Sequence, residues 1–126
     1  MSNLSVSEIR PFIPAKSFEE SKHFYSSIGW MVKDVAPKLA LVKSPGGHFY
    51  IQDYYIKEVA ENSMLHITVE DARAWYEHAA AVLASARWPA ARVQPPKLQP
   101  YGALVTFVHD PAGVLLHFCQ WNPLKA

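Results

Sequence analysis

The side chains best suited to acid–base or metal chemistry at neutral pH in this 126-residue chain are two histidines on strand-like segments, His66 and His117. From Met64 to Val69 the residues alternate. Leu65, Ile67 and Val69 share one face of an extended chain, and Met64, His66 and Thr68 share the other. His117 stands in the apolar run Val114 to Cys119, in phase with Leu115 and Cys119. An imidazole titrates near neutral pH, so the pair could move a proton without a metal. As ligands the two fall short of the three protein donors that a catalytic zinc takes, unless Asp53 at the end of its own strand reaches in. The ordinary role of a strand histidine, bonded to a neighbour or to water, stands beside both readings. His23, His48, His78 and His109 fall on predicted surface or turn positions and receive no role. Cys119 is the single cysteine, which excludes an intrachain disulfide and every CxxC metal knuckle. Its place inside an apolar run reads as a small buried hydrophobe rather than a nucleophile. No glycine-rich nucleotide loop and no HExxH helix is present.

The elements that must position these residues occur twice. Residues 44 to 52 read SPGGHFYIQ and residues 110 to 120 read DPAGVLLHFCQ, each a Pro and Gly turn feeding an apolar run that ends in glutamine. A strand-like and then a helix-like segment precede each, from near Ile9 and from near Met64. Pro11 and Pro14 place the Glu8 to Pro14 strand at a sheet edge or in exchange with a partner. Ser17 with Glu20 forms a capping box for a helix over 17–28 that stops at Gly29. The runs Trp30 to Val35, Leu39 to Lys43 and His48 to Asp53 read as a small antiparallel set. The stretch Lys57 to Ser63 is a polar bridge. Asp71 caps a second helix whose Ala72, Trp75, Tyr76, Ala79, Val82, Leu83 and Ala86 follow amphipathic spacing. A Pro-rich stretch, with a brief strand at Arg92 to Gln94, leads to strands Ala103 to His109 and Val114 to Cys119.

Twelve basic against eleven acidic side chains, without a run of either sign, leave no footprint for nucleic acid or an anionic membrane, so a small molecule is the expected ligand. Half of the residues are hydrophobic, enough for one domain with a substantial core. No signal sequence and no apolar stretch of about 18 residues is found, and a cytoplasmic protein is expected.

The order of elements, with IPAKSFEESKHFYSSIGW near the start and YGALVTFVHDPAGVLLHFCQ near the end, resembles the glyoxalase, bleomycin-resistance and extradiol dioxygenase proteins, the vicinal oxygen chelate superfamily. The bleomycin-resistance branch is the nearest in look. The resemblance implies an α+β fold in a single domain, with two βαβββ modules at about 6–56 and 63–122. It also implies curved mixed sheets around a shared cavity, and a homodimer, in places with the first strand exchanged.

Enzymes of that superfamily hold a divalent metal from the first strand of each module and the last strand of a module. Counted from the helices, those positions here are Arg10, Met64 and His117. Arginine has no lone pair to give, and methionine is a weak ligand for the ions concerned. No metal is therefore expected, and a divalent ion on His66 and His117 is the alternative. The resemblance assigns the cavity lining to Arg10, Phe12, Trp30, Phe49, Ile51, Met64, His66, Thr68, Leu115, His117 and Cys119, with Tyr101 and Trp121 as aromatic walls. Arg10 beside two histidines favours an anionic or planar aromatic ligand. Family members that bind bleomycin meet a large cation with acidic residues, and Asp53 is the only acid placed nearby, so the ligand itself is left open. Residues 95–102, PPKLQPYG, are either a flap that brings Lys97 over the cavity or an inert connection. Three functions follow: a metal-free binding protein of the resistance type; an enzyme, metal-dependent or using His66 and His117 as acid and base; and a structural dimer without a ligand.

Overall fold

The computed structural model describes residues 3–86 and 88–123. Strand β1, Phe12–Ala15, runs parallel to β4, Gly47–Asp53, at the edge of a four-stranded sheet completed by β3, Leu39–Ser44, and β2, Met31–Ala36. The Tyr50 N–H donates to the Pro11 carbonyl at 2.9 Å, so the residues between the bonded ones turn their backbone outward. Pro14, which has no N–H, therefore sits where none is needed. Helix α1, Phe18–Ser27, starts where Ser17 Oγ accepts from the Glu20 N–H at 3.3 Å. It ends at Gly29, whose φ of 107° suits glycine, and the Trp30 N–H returns to the Tyr25 carbonyl at 3.2 Å.

The bridge read as polar connection contains a short helix, α2, Lys57–Glu61. Beyond it β5, Met64–Thr68, runs parallel to β9, Leu115–Trp121, which pairs with β8, Ala103–His109. Helix α3, Ala72–Ser85, is capped by Asp71, whose Oδ1 accepts from the Ala74 N–H at 3.0 Å. On the far side of β8 lie β6, Arg92–Val93, and β7, Lys97–Leu98, two pieces of one edge interrupted at Pro95 and Pro96. Residues 97 and 98 are thus part of the sheet, and Lys97 is not on a flap. No helix among the described residues is long and apolar enough to cross a membrane.

The two halves superimpose by their helix caps. Phe12 stands five residues before the cap Ser17, and His66 five before the cap Asp71. Phe12 faces Tyr50 across the ladder, and His66 faces His117. Tyr50 is therefore the counterpart of His117, and Gln52 that of Cys119. The two glutamines that close the repeated runs are one position out of register. Gln120 turns to the helix side, where its Oε1 accepts from the Ala72 N–H at 3.0 Å and supplies one of the four bonds that the start of α3 lacks.

Helices α1 and α3 cover one side of the sheets and bury Phe24, Tyr25, Ile51, Val108, Leu116 and Phe118. The two most specific sequence features meet inside this core. Tyr25 Oη, from FYSSIGW, donates to Asp110 Oδ2 at 2.6 Å, while Asp110 Oδ1 accepts from the Ala112 and Val114 N–H groups of its own turn at 2.8 and 3.0 Å. Burial pushes the Asp110 carboxyl up to about 6, against the pull of these hydrogen bonds. This contact ties a helix of the first half to the β8–β9 turn of the second, and fixes how the two sheets meet.

Candidate functional site

Each sheet has an open face on the side away from the helices. On the second sheet the ladder lines up Met64 with Leu115, His66 with His117 and Thr68 with Cys119, so all six side chains share that face. Phe107 joins them across from His117, with ring centroids 4.9 Å apart, and Trp121 lies 5.8 Å from both the His66 and Tyr101 rings. Met64, Tyr101 and Trp121 are exposed, and Cys119 is fully buried at the floor. Burial and the neighbouring His66 lower the His117 pKa, so its ring is neutral at neutral pH; its buried Nε2 has no partner among the described residues. Burial raises the Cys119 thiol, which leaves it protonated.

The open face of the first sheet differs in chemistry. Phe12 lies against Tyr50 with ring centroids 5.0 Å apart, in the place that the two histidines occupy in the second. His48 and Gln52 flank Tyr50 on the same face, and Lys43 and Lys33 stand on the neighbouring strands in the rows of His48 and Tyr50. Arg10 precedes β1. Its guanidinium donates to both Glu8 carboxylate oxygens at 2.9 and 3.2 Å and to Tyr50 Oη at 2.8 Å. Glu8 also takes a bond from His48 Nδ1 at 2.6 Å. These partners, Arg10 above all, hold the Glu8 carboxyl below its usual range. The arginine charge is therefore matched by a carboxylate two residues away, which weakens the expectation that Arg10 beside the two histidines favours an anionic ligand.

Ile51 does not line an open face. It is fully buried beneath α1, and Phe49 points the same way, because β4 has the phase set by Tyr50. Trp30 is also in the core, stacked at 6.0 Å on Tyr25, with one edge reaching a cleft between the two halves. That cleft, about 610 Å3, is lined by Trp30, Phe49, His66, Thr68 and Trp75 among others. Tyr50, Phe107 and Trp75 were not singled out from the sequence as site residues. The pairing of Phe12 with Tyr50 is the signal that finds the first; Phe107 follows from the alternation of β8.

The residues at the superfamily's metal positions do not fit a divalent ion. Arg10 has no lone pair and is already bonded, Met64 is a thioether at an exposed strand start, and only His117 offers a nitrogen. Among the described residues no three His, Cys, Asp or Glu side chains converge into a metal-holding group, and Asp53 does not join His66 and His117.

No family profile matches the chain, and no curated protein matches it in sequence. Solved structures do. The bleomycin-binding protein of bleomycin-producing Streptomyces verticillus, complexed with copper(II)-bleomycin, is 21% identical with a TM-score of 0.76 over 94% of this chain and 98% of that one. A bleomycin resistance determinant encoded on transposon Tn5 is 19% identical with a TM-score of 0.76, over 92% and 98%. A glyoxalase/bleomycin resistance protein/dioxygenase from Nocardioides is 16% identical with a TM-score of 0.72, over 96% and 87%. The chain has the vicinal oxygen chelate fold, in the form seen in bleomycin-resistance proteins.

Proposed function

We propose, with this fold as the premise, that the protein binds a small aromatic molecule on the open face of its second sheet without a metal. The observation that carries the reading is the group of exposed aromatic and apolar side chains, Trp121, Tyr101 and Met64, set around the paired His66 and His117. Aromatic walls with a few fixed polar points are how small-molecule sites are commonly built. A second copy of the chain would close the site with its first sheet. Phe12 and Met31 are exposed on that sheet, and the arm from Asn3 to Pro11 belongs to no strand and exposes Leu4, Val6 and Ile9. β1 itself pairs with β4 of the same chain, so strand exchange would involve the arm alone. With Arg10 bonded to Glu8, an anionic substituent on the ligand would be met by Lys33 and Lys43 of that facing sheet.

The test is a thermal-shift and calorimetric screen of aromatic carboxylates, with and without chelator. Support would be a ligand whose binding ignores the chelator and weakens at least tenfold in Trp121→Ala. One bound metal per chain or per dimer after purification, lost in His66→Ala or His117→Ala, would overturn the metal-free reading.

The facing imidazoles favour one second reading. A neutral His117 can accept a proton while His66, across the ladder, delivers one. Turnover of a bound compound that disappears in His117→Ala would establish an acid–base enzyme; turnover unchanged in that variant would remove His117 from the mechanism.

A further inference from the structure

The cleft where the two halves meet has its own character. Its volume of about 610 Å3 lies within the range of small-molecule sites. Trp30 and Phe49 contribute from the first half and Ile67, Val69 and Trp75 from the second, beneath the turn from Ser44 to Gly47. Trp30 and Trp75 stand 6.1 Å apart, tilted by 56°, and Trp75 is backed by Phe118 at 4.4 Å. These rings are held by core contacts and form a fixed floor. No Asp, Glu, Lys or Arg is among the lining residues.

Beside the Ser44, His48, His66 and Thr68 side chains, the cleft has polar points on the backbone. The Ser63 carbonyl accepts from the Leu115 N–H at 3.0 Å and the Val69 N–H donates to the Cys119 carbonyl at 2.9 Å, so the odd-numbered residues of β5 turn toward β9. In a parallel ladder the residues between them point the other way. His66 and Thr68 thus direct their N–H and C=O groups at the free edge of β5, where no described residue pairs with them. His66 and Thr68 are exposed, so this edge offers a donor and an acceptor beside apolar walls to a ligand able to replace water there.

We infer that this cleft is a second binding site, for a flat, uncharged heteroaromatic molecule with a donor and an acceptor on its rim, of the class of bicyclic lactams. Its rings lie against Trp30 and Trp75, and its rim meets the edge of β5 at His66 and Thr68. The lining holds no Asp, Glu, Lys or Arg, and its His48 is already bonded to Glu8, so a neutral ligand is favoured: an ion entering would lose hydration without gaining a free counter-charge. The inference goes beyond the open-face reading, and uses none of Tyr101, Phe107 or Trp121.

The test is a titration of the 15N-labelled full chain with 2-quinolone, followed by amide and indole N–H resonances. Expected are concerted shifts of His66, Thr68 and Gly46 and of the Trp30 and Trp75 indoles, with the Trp121 indole unmoved. A side chain added at Gly46 starts in open space, with no atom within 4 Å of its Cβ, so Gly46→Trp fills the cleft without disturbing the fold and weakens binding at least tenfold. Pro45→Arg, at the exposed lip, does the same if that variant loses its dispersed spectrum. Shifts centred on Trp121 and Tyr101, no shift up to the solubility limit, or unchanged affinity in the folded variant would overturn the inference. Failure of the open-face reading shows separately, as no response of Trp121 to any aromatic carboxylate.

Discussion

Replacing Asp110 by asparagine isolates the ionisation of the carboxyl that joins the two halves. Its pKa is about 6 in the folded chain, where burial dominates, against 3.8 for an ordinary aspartate. Between those values the folded protein holds a proton that the unfolded chain has released. The carboxyl's contribution to stability is therefore complete below about pH 4 and is lost as pH rises through about 6. At ~1.4 kcal/mol for each pH unit between the two values, the loss is ~3 kcal/mol. His109 and His117 act in the opposite sense, because burial lowers both below 6.5 and the unfolded chain takes up protons first. They are common to both proteins and cancel in the difference. Urea unfolding of wild type and Asp110→Asn from about pH 4 to about pH 8 should show the wild type losing ~3 kcal/mol relative to the variant by neutral pH, then a plateau. A carbon-detected titration should place the Asp110 carboxyl midpoint near 6. Tyr25→Phe removes a donor that favours the ionised form, so it should raise that midpoint and cost more at pH 7 than at pH 4, by about 1.5–3 kcal/mol. A difference that stays flat with pH, or a wild type that gains on the variant as pH rises, would refute the reasoning. The first result would mean that the hydrogen bonds balance burial, and the second that they outweigh it and hold the carboxylate ionised.

The phase of β4 is open to direct test. Ile51→Ala should lower unfolding free energy by about 2–5 kcal/mol, whereas Tyr50→Ala, which loses the Arg10 bond and an exposed ring contact, should cost about 1 kcal/mol by the same denaturant titration. Gln120→Ala should cost about 1 kcal/mol through the bond it makes at the start of α3, and Gln52→Ala almost nothing; equal costs would contradict the one-position offset between the halves. His117→Phe removes a buried nitrogen that has no partner, so it should stabilise the fold by up to about 1 kcal/mol at neutral pH. It should also flatten part of the acid loss, because a histidine lowered on folding contributes stability that disappears as pH falls through that window. A destabilised His117→Phe with unchanged acid sensitivity would assign the Nε2 a partner.

What the sequence made legible was chemistry enforced locally. The caps at Ser17 and Asp71, the stop at Gly29 and the shared face of Met64, His66 and Thr68 each follow from residues a few positions apart, and each is found in the structure. The phase of β4 was not legible, because Phe49, Tyr50 and Ile51 are apolar or aromatic in succession and alternation cannot choose between the two faces. Tertiary contacts choose: the Tyr50 hydroxyl reaches Arg10 on the open side while Ile51 closes the core. The pairing of Arg10 with Glu8 was in principle legible, since residues two apart in an extended chain point the same way. With Glu8 bonded to it, Arg10 belongs to a neutral pair and brings no free positive charge to a ligand.

The repeat is a repeat of backbone, and at matched positions the halves carry different chemistry. Phe12 with Tyr50 in one half stands where His66 with His117 stands in the other, and Pro14 where Thr68 stands. A metal held jointly by two modules needs donor side chains from both, and here the first offers rings, lysines and a His48 already bonded to Glu8, while the second offers the paired imidazoles. A ligand lying between two such faces would be read differently on its two sides. One face supplies stacking and positive charge; the other supplies hydrogen bonds that depend on the protonation of His117. Exchanging His117 for phenylalanine should leave an apolar pocket that keeps aromatic affinity while losing its pH dependence. Affinity of an aromatic carboxylate for His117→Phe, measured from about pH 5 to about pH 8, decides the matter, since a pH dependence retained in that variant would place the recognition elsewhere.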